Sequence, residues 1–451
     1  MRDIVLVTVD SLRADHVGWH GYDRDTTPNL DELAADGRVF SNAFAHACST
    51  RPSFPSILTS SYALAHGGFE RLSDERTTLT EVLSDGGYRT GGFHSNLYLS
   101  ADFGYDRGFS TFFDSRSDPS MTARARNFVK RTLDSDGLVY RTLQAAFDAT
   151  EKHAGVEVGS AYVEAEALTD RALEWVRNGD DGVPQFLWVH YMDVHHPYVP
   201  PAEHQRRFRD EVVPDREAVQ LRRKMLESPA ELSDEEQATI LDLYDAEIAS
   251  VDSQVERLLN GIRWARDEDP VVAFTADHGE AFGEHGGYSH GATFYDEVLH
   301  VPLLLVDGDG GERVEDLVGL LDLSPTLVDC AGLEQPAAFE GRSLLADDFS
   351  RSDVVAEWAD TDPEVDARRF AIRSADWKYV RMEDGKERLY DLTADPEERT
   401  NVVDDELDVA AKFRGRLANH RERLAEADGD VGTVEMDDDV AERLRLLGYQ
   451  E

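Results

Sequence analysis

Apolar positions in this chain gather into short runs bounded by glycine, proline and acidic residues. Ile4–Val9, Val39–Ala45, Tyr88–Phe93, Pro184–His190 and the run opening at Val271 are rich in β-branched and aromatic side chains. Runs of that length and kind read as strands buried on both faces, the habit of parallel sheets. Between them the pattern lengthens to helical spacing. Thr26 to Gly37 reads as a capped helix, Asp322 to Leu327 as the start of another, and Ser233-Asp234-Glu235-Glu236 as a capping box opening a helix to about Asn260. Strands alternating with helices predict an α/β fold around a mostly parallel sheet.

The pattern changes near Gly341 to Asp353. Val354–Trp358, Arg369–Ser374, Trp377–Met382 and Arg388–Asp391 read as short antiparallel strands joined by turns such as Glu383-Asp384-Gly385. Leu407 to Leu447 reads as a charged amphipathic helix pair with an acidic linker at Glu426–Gly432. The expected organisation is a large α/β domain over 1–345 with a helical insertion at 120–178, a small α+β subdomain over 346–404, and an acidic helical tail over 405–451.

Two apolar runs end on an acid. The Val271 run stops at Asp277-His278-Gly279-Glu280, and a loop with Glu284, His285, Ser289, His290 and Asp296 leads to a second apolar run, Val298–Leu305, expected as the neighbouring strand. Ile4–Val9 stops at Asp10-Ser11. Ligands of open α/β sheets collect at the carboxyl ends of the strands, where Asp10 and Asp277 would offer hard oxygens and His278 a nitrogen to one divalent ion. The plainer alternative is that the acids or Ser11 cap helices and the histidines are solvated. Between His46 and Thr59, the hydroxyls of Ser49, Thr50, Ser53 and Ser56 lie beside Arg51. Pro52 suits an early helix position, which would set Ser49 and Thr50 at the positive end of a helix. A hydroxyl there, beside a divalent cation, has the setting of an activated nucleophile; the plainer alternative makes Thr50 an N-cap alone.

Composition narrows the partners. Of 451 residues 91 are acidic and 46 basic, a formal charge of -45 spread along the whole length. Such a field repels nucleic acid and anionic membranes, and concentrated salt screens its self-repulsion. A high-salt cytoplasm is the preferred explanation, an acidic mesophilic protein the alternative. Unfolding followed by circular dichroism is expected to show greater stability in molar KCl than in dilute buffer; equal or greater stability at low salt would remove the halophilic reading. Cys48 and Cys330 are too few for a disulfide framework. Met1-Arg2-Asp3 leads straight into the first strand, and no apolar stretch has membrane-spanning length. The expectation is a soluble cytoplasmic protein with no nucleic-acid partner and an open oligomeric state.

Six stretches together resemble the sulfatase branch of the alkaline phosphatase superfamily: VDSLRADHVGWHGYDRDTTPNLDELAADGRVFSNAF, TRPSFPSILTS with His66-Gly67, GYRTGGFHSN, VHYMDVHHPYVPP, TADHGEAFGEHGGYSHG with LHVPLLL, and ADWKYV with LYDLTADPEERTNV. They run in that family's order over nearly the whole length. The resemblance implies an alkaline-phosphatase-like three-layer sandwich and a small C-terminal antiparallel sheet, to which Lys378 and Tyr379 belong. It implies metal ligation by Asp10, Asp277 and His278, with Thr50 as nucleophile and ligand. It also implies active-site roles for His195 and for His290, near the leaving group, with Arg51 assisting.

The sequence departs from that pattern in ways that bear on chemistry. Sulfatases carry a Cys or Ser that matures to formylglycine, with an Arg four residues on; here Thr50 and Phe54 stand at those places, and Thr cannot become that aldehyde. Ser11 replaces the second Asp of the first pair, and His278 replaces the Asn after the later Asp. Fewer carboxylates and one more imidazole favour Mn2+ or Zn2+ over Ca2+ or Mg2+. The implied function is metal-dependent hydrolysis of a small or glycan-linked phosphoric diester or sulfuric ester through a covalent Thr intermediate, with Phe54 flanking the esterified oxygen of a diester. The alternatives are a true sulfatase, a phosphoglycerol-type transferase and a non-catalytic anion- or glycan-binding protein with the same fold.

Overall fold

The computed structural model describes residues 1–115, 162–180, 182–266, 268–291, 293–308, 310–359 and 367–427. Its strands in chain order begin with β1 (Ile4–Val9), β2 (Arg38–Phe44), β3 (Arg89–His94), β4 (Thr111–Phe113) and β5 (Gln185–Tyr191). Next come β6 (Val271–Ala276), β7 (Ala281–Phe282), β8 (Tyr288–Ser289), β9 (Leu303–Val306) and β10 (Glu312–Gly319). The main sheet has the order β10-β2-β9-β6-β1-β5-β3-β4. Only β9 runs against its neighbours; the rest are parallel. Every residue of β1, β5 and β6 is buried, as strands covered on both faces must be.

Helices Pro28–Ala35, Ala165–Arg177, Ala202–Phe208 and Asp234–Ala265 cover one face, while Thr50–Thr59, Leu79–Asp85 and Leu323–Cys330 cover the other. The fold is therefore an α/β three-layer sandwich. The capping box read at Ser233 forms with Glu236. Most of the insertion expected at 120–178 lies outside the described residues; its described end is the Ala165–Arg177 helix. Strands β11 (Asp353–Trp358), β12 (Arg369–Ser374), β13 (Trp377–Arg381) and β14 (Glu387–Asp391) make the small antiparallel sheet. One of its faces packs on Phe44, Phe294 and Val298, the other on the Leu407–Glu426 helix. The second helix expected toward Leu447 lies outside the described residues. Lys378, wholly buried in β13, donates to the Phe294 carbonyl and pairs with Asp296 and Glu398, tying the small sheet to the loop after β8.

Two expectations change. The strand read over Val298–Leu305 is divided: Asp296–Leu299 turns as a helix and only Leu303–Val306 is strand. Pro302, between them, has no N–H to give a ladder. Strand β10 was not expected, because at the sheet edge its first residues are mostly exposed and its sequence is charged.

Candidate functional site

Register brings the two acids together. In the parallel ladder Val9 stands opposite Ala276 on one side and Tyr191 on the other, so Asp10 and Asp277 leave the sheet side by side. Ser11 then adopts a left-handed conformation, φ 60°, unusual for a side-chain-bearing residue. That turn aims its N–H at Asp277 Oδ1 (3.2 Å) and its hydroxyl at Asp10 Oδ1 (2.8 Å). Gly279 is a close approach: a Cβ there would meet the Glu297 carbonyl oxygen at 2.2 Å. Its own N–H donates to the Val298 carbonyl, docking the residue after His278 against the returning chain.

Thr50 is the first residue of the Thr50–Thr59 helix and Ser49 holds the N-cap position, which removes the reading of Thr50 as a cap. Its hydroxyl lies 3.1 Å from Asp10 Oδ2 and 3.4 Å from His278 Nε2. Asn96 donates to the same Asp10 oxygen at 3.2 Å. All four, Asp10, Thr50, Asp277 and His278, are fully buried.

The imidazole tautomers follow from their partners. His278 Nδ1 faces the Gly279 carbonyl oxygen at 2.8 Å and must donate to it, which leaves an Nε2 lone pair 3.7 Å from Asp10 Oδ1 and 3.6 Å from Asp277 Oδ2. Burial, and then the neighbouring His290, push the His278 imidazole down to about 3, so it is not a proton that reconciles it with the acids. Burial and the charge of Asp10 push the Asp277 carboxyl well above its usual range. For Asp10 burial acts in the same sense, but His195, His190 and His278 outweigh it and hold this carboxyl low. Asp277 Oδ2 and His190 Nε2 are buried without a hydrogen-bond partner. Two carboxylates, a lone pair aimed at both and two orphaned polar atoms form a donor set that a divalent cation satisfies. Asp10, His190 and Asp277 bring ligand atoms within 4.8 Å of one another. These residues can hold a divalent metal ion.

His290 and His195 complete the group. The rings of His278 and His290 are 4.4 Å apart and those of His195 and His290 4.9 Å. Glu280 Oε1 accepts from His290 Nδ1 at 3.2 Å while Tyr198 holds its other oxygen. Burial would push His290 down, but Glu280 outweighs it and holds the imidazole above its ordinary value. His195 donates from Nδ1 to the His196 carbonyl oxygen at 2.6 Å, and burial pushes it down to about 3.

Of the residues singled out from sequence, the structure gathers Asp10, Thr50, Asp277, His278, His195 and His290, and turns Arg51 elsewhere. The Arg51 guanidinium stacks over Tyr98 and Phe103 and donates to the Glu70 carbonyl oxygen. Its side chain has no polar contact with Asp10, Thr50 or Asp277 among the described residues. Phe54 does not flank the site as expected. It is fully buried, edge-on to His190 at 5.0 Å and against Trp188 and Tyr105, because its helix rises from the sheet with this face on the core. His190 was missed; it precedes the last residue of β5, and the signal was a third central strand ending beside β1 on a potential ligand.

Residues 2–333 match the sulfatase family, and residues 283–423 match the family described as N-sulphoglucosamine sulphohydrolase, C-terminal. The chain is 24% identical to "Uncharacterized sulfatase YidJ" of Escherichia coli over 449 residues, covering 94% of this chain and 87% of that one. It is 24% identical over 497 residues to "Multifunctional alkaline phosphatase superfamily protein PehA" of Trinickia caryophylli, covering 90% and 91%. Among solved structures, the phosphonate monoester hydrolase of Agrobacterium radiobacter superposes with a TM-score of 0.72 at 23% identity over 94% of this chain and 96% of that one. No helix among the described residues is long and apolar enough to cross a membrane. With the family's sequence matched from the first strand past β10 and the fold shared end to end, this chain belongs to the sulfatase family and is a hydrolase acting on ester bonds.

Proposed function

We propose that the chain hydrolyses phosphoric diesters in preference to sulfuric esters through a covalent intermediate on Thr50. The observation that carries this reading is the position of the Thr50 hydroxyl, on a helix N-terminus and within hydrogen-bond reach of Asp10. Asp10, Asp277, His278 and Thr50 would hold one divalent cation, with His190 adjoining; a nitrogen-bearing set of this kind favours Mn2+ or Zn2+. When bound, such a cation supplies Lewis acidity, easing deprotonation of a hydroxyl and neutralising charge on the equatorial oxygens of the ester.

The Thr50 hydroxyl passes its proton along its hydrogen bond to Asp10 Oδ2, and Oγ attacks phosphorus in line with the departing alcohol. The P–O bond to that alcohol breaks as the bond to Thr50 forms. His290, oriented through Nδ1 by Glu280 and raised in basicity, is placed to give its proton to the leaving oxygen, with His195 beside it. The N–H groups at the start of the Thr50–Thr59 helix face the developing negative charge. Water then attacks phosphorus, giving a proton to the now neutral His290, and the P–O bond to Thr50 breaks as Thr50 Oγ takes back its proton from Asp10.

The relatives include proteins named for sulfate and for phosphonate esters, and the choice between the two rests on Thr50. A formylglycine hydrate can expel sulfate by collapsing to an aldehyde, a route closed to a Thr ester, whereas activating water for attack at phosphorus is ordinary metal chemistry. The lack of an Arg four residues after Thr50 also removes charge that would favour a dianionic monoester. At equal Mn2+ and salt, kcat/KM for an aryl phosphodiester is expected to exceed that for the matching aryl sulfate by at least about tenfold. The reverse order would return the chain to sulfate chemistry. Its two cysteines are free, which supports a reducing cytoplasm as its location; cell fractionation that found it elsewhere would overturn that placement.

A further inference from the structure

Acids outnumber bases 91 to 46 in this chain, and its buried guanidinium groups mostly find a carboxylate. Arg13 pairs with Asp15 and Glu284, Arg266 with Asp3, Arg351 with Asp322 and Arg373 with Asp296. The Asp215–Glu227 helix continues that habit at Arg223, 2.9 Å from Glu227, and at Lys224, 2.7 Å from Glu236. Arg222 breaks it. Half-buried on the same helix, it makes one polar contact among the described residues, from Nε to His196 Nδ1 at 3.4 Å, and meets no carboxylate. Its two terminal nitrogens, the fork that binds oxyanions in pairs, have no acceptor among the described residues.

What surrounds Arg222 excludes a cation. His196 accepts from Arg222 at Nδ1 and therefore carries its proton at Nε2, 3.0 Å from the Ser289 hydroxyl. Ser289 is held there by a left-handed backbone, φ 69°. Although His195, His196 and His290 bring nitrogens within 4.8 Å of one another, His196 has no lone pair left for a metal, and a guanidinium stands against it. The row His278, His290, His196, Arg222 leads away from Thr50. Its ring centroids are 4.4 Å and then 5.8 Å apart, so two imidazoles stand between Arg222 and the residue bonded to Thr50. On the proposed reaction His290 protonates the leaving oxygen, and a group held by Arg222, beyond His196 from His290, would lie on the side of the departing alcohol.

We propose that Arg222 is a specificity-determining residue that binds a second anionic group, a carboxylate or a sulfo group, carried on the leaving alcohol of the substrate. The assignment rests on the proposed function for the direction of departure. It implies that the natural substrate is at least doubly anionic, so that the enzyme selects charged alcohols despite its own negative field.

The test compares Arg222→Gln with the full-length parent on three aryl phosphodiesters differing at the para position: carboxylate, sulfonate and the neutral methyl ester of the carboxylate. At one fixed salt and Mn2+ concentration, the variant is expected to raise KM for a charged probe by about 10- to 100-fold relative to the neutral one, the range for a charged hydrogen-bonded pair. Its kcat on the neutral probe should be unchanged. Arg222→Lys should restore part of the difference and Arg223→Gln should show none. Whichever charged probe gives the larger ratio identifies the anion. Equal effects on charged and neutral probes, or no effect on either, overturn the proposal. Calorimetric binding of 4-hydroxybenzoate against its methyl ester reads the same selectivity without turnover. If the parent cleaves no probe, the proposed reaction fails while the Arg222 assignment still stands or falls on the parent binding the carboxylate about tenfold more tightly and the variant not.

Discussion

Thr50→Ala is expected to lower kcat/KM by at least about 1,000-fold while leaving the fold and the metal content nearly intact. The size follows from the proposed role, since removing a covalent nucleophile leaves only the stabilisation supplied by the rest of the site. The small structural cost follows from geometry. Ser49, not Thr50, holds the N-cap position, so no cap is lost, and deleting a hydroxyl and a methyl there should cost no more than about 1 kcal/mol. Thr50→Ser keeps the oxygen next to Asp10 and should retain turnover within about one to two orders of magnitude. Thermal unfolding and elemental analysis separate loss of chemistry from loss of structure. An alanine variant within tenfold of the parent would reject the covalent mechanism.

The second large effect concerns Asp277. Chelation should abolish activity and lower the melting temperature of the parent, because any ligand bound only by the native state stabilises it by mass action, about 4 kcal/mol at a thousand times the dissociation constant. Without a cation, burial and the charge of Asp10 push the Asp277 carboxyl well above its usual range, so ionising it beside Asp10 is costly. Asp277→Asn relieves that conflict and discards a ligand. It is therefore expected to bind little metal, to lose activity by about 1,000-fold or more, and to melt at the same temperature with and without chelator. It should also melt above the chelated parent as pH rises, since the amide has no buried carboxyl to ionise beside Asp10. A variant that still bound one equivalent of metal, or an active chelated parent, would move the cation elsewhere.

Much of the site was legible as separate residues. Asp10 and Asp277 each follow an apolar run, so their place at a strand end could be read without knowing which strands adjoin. His190 could not be read that way. It lies within an apolar strand, and its nearness to Asp10 depends on β5 pairing with β1 in a register that sets Thr8 against His190. Arg51 and Phe54 show the opposite failure. Both lie close to Thr50 in sequence, yet the helix directs one into an aromatic stack and the other into the core behind His190.

By itself the sequence determined that apolar strands alternate with helices, that two of those strands end on aspartates, that Ser49 and Thr50 stand at the start of a helix, and that a charge of -45 is spread along the whole chain. Each of these is a local or additive property: burial pattern, capping chemistry and net charge do not depend on which segments later meet. Only the tertiary structure decided that β1 lies between β5 and β6, that Asp10 and Asp277 therefore emerge side by side, and that Arg222 ends beside His196 with no carboxylate bonded to it among the described residues. Those facts come from strand order, register and helix docking, which join residues 26 positions apart at Arg222 and His196 and 266 apart at Ser11 and Asp277. The packing free energy that selects such pairings belongs to the assembled core, not to any one segment.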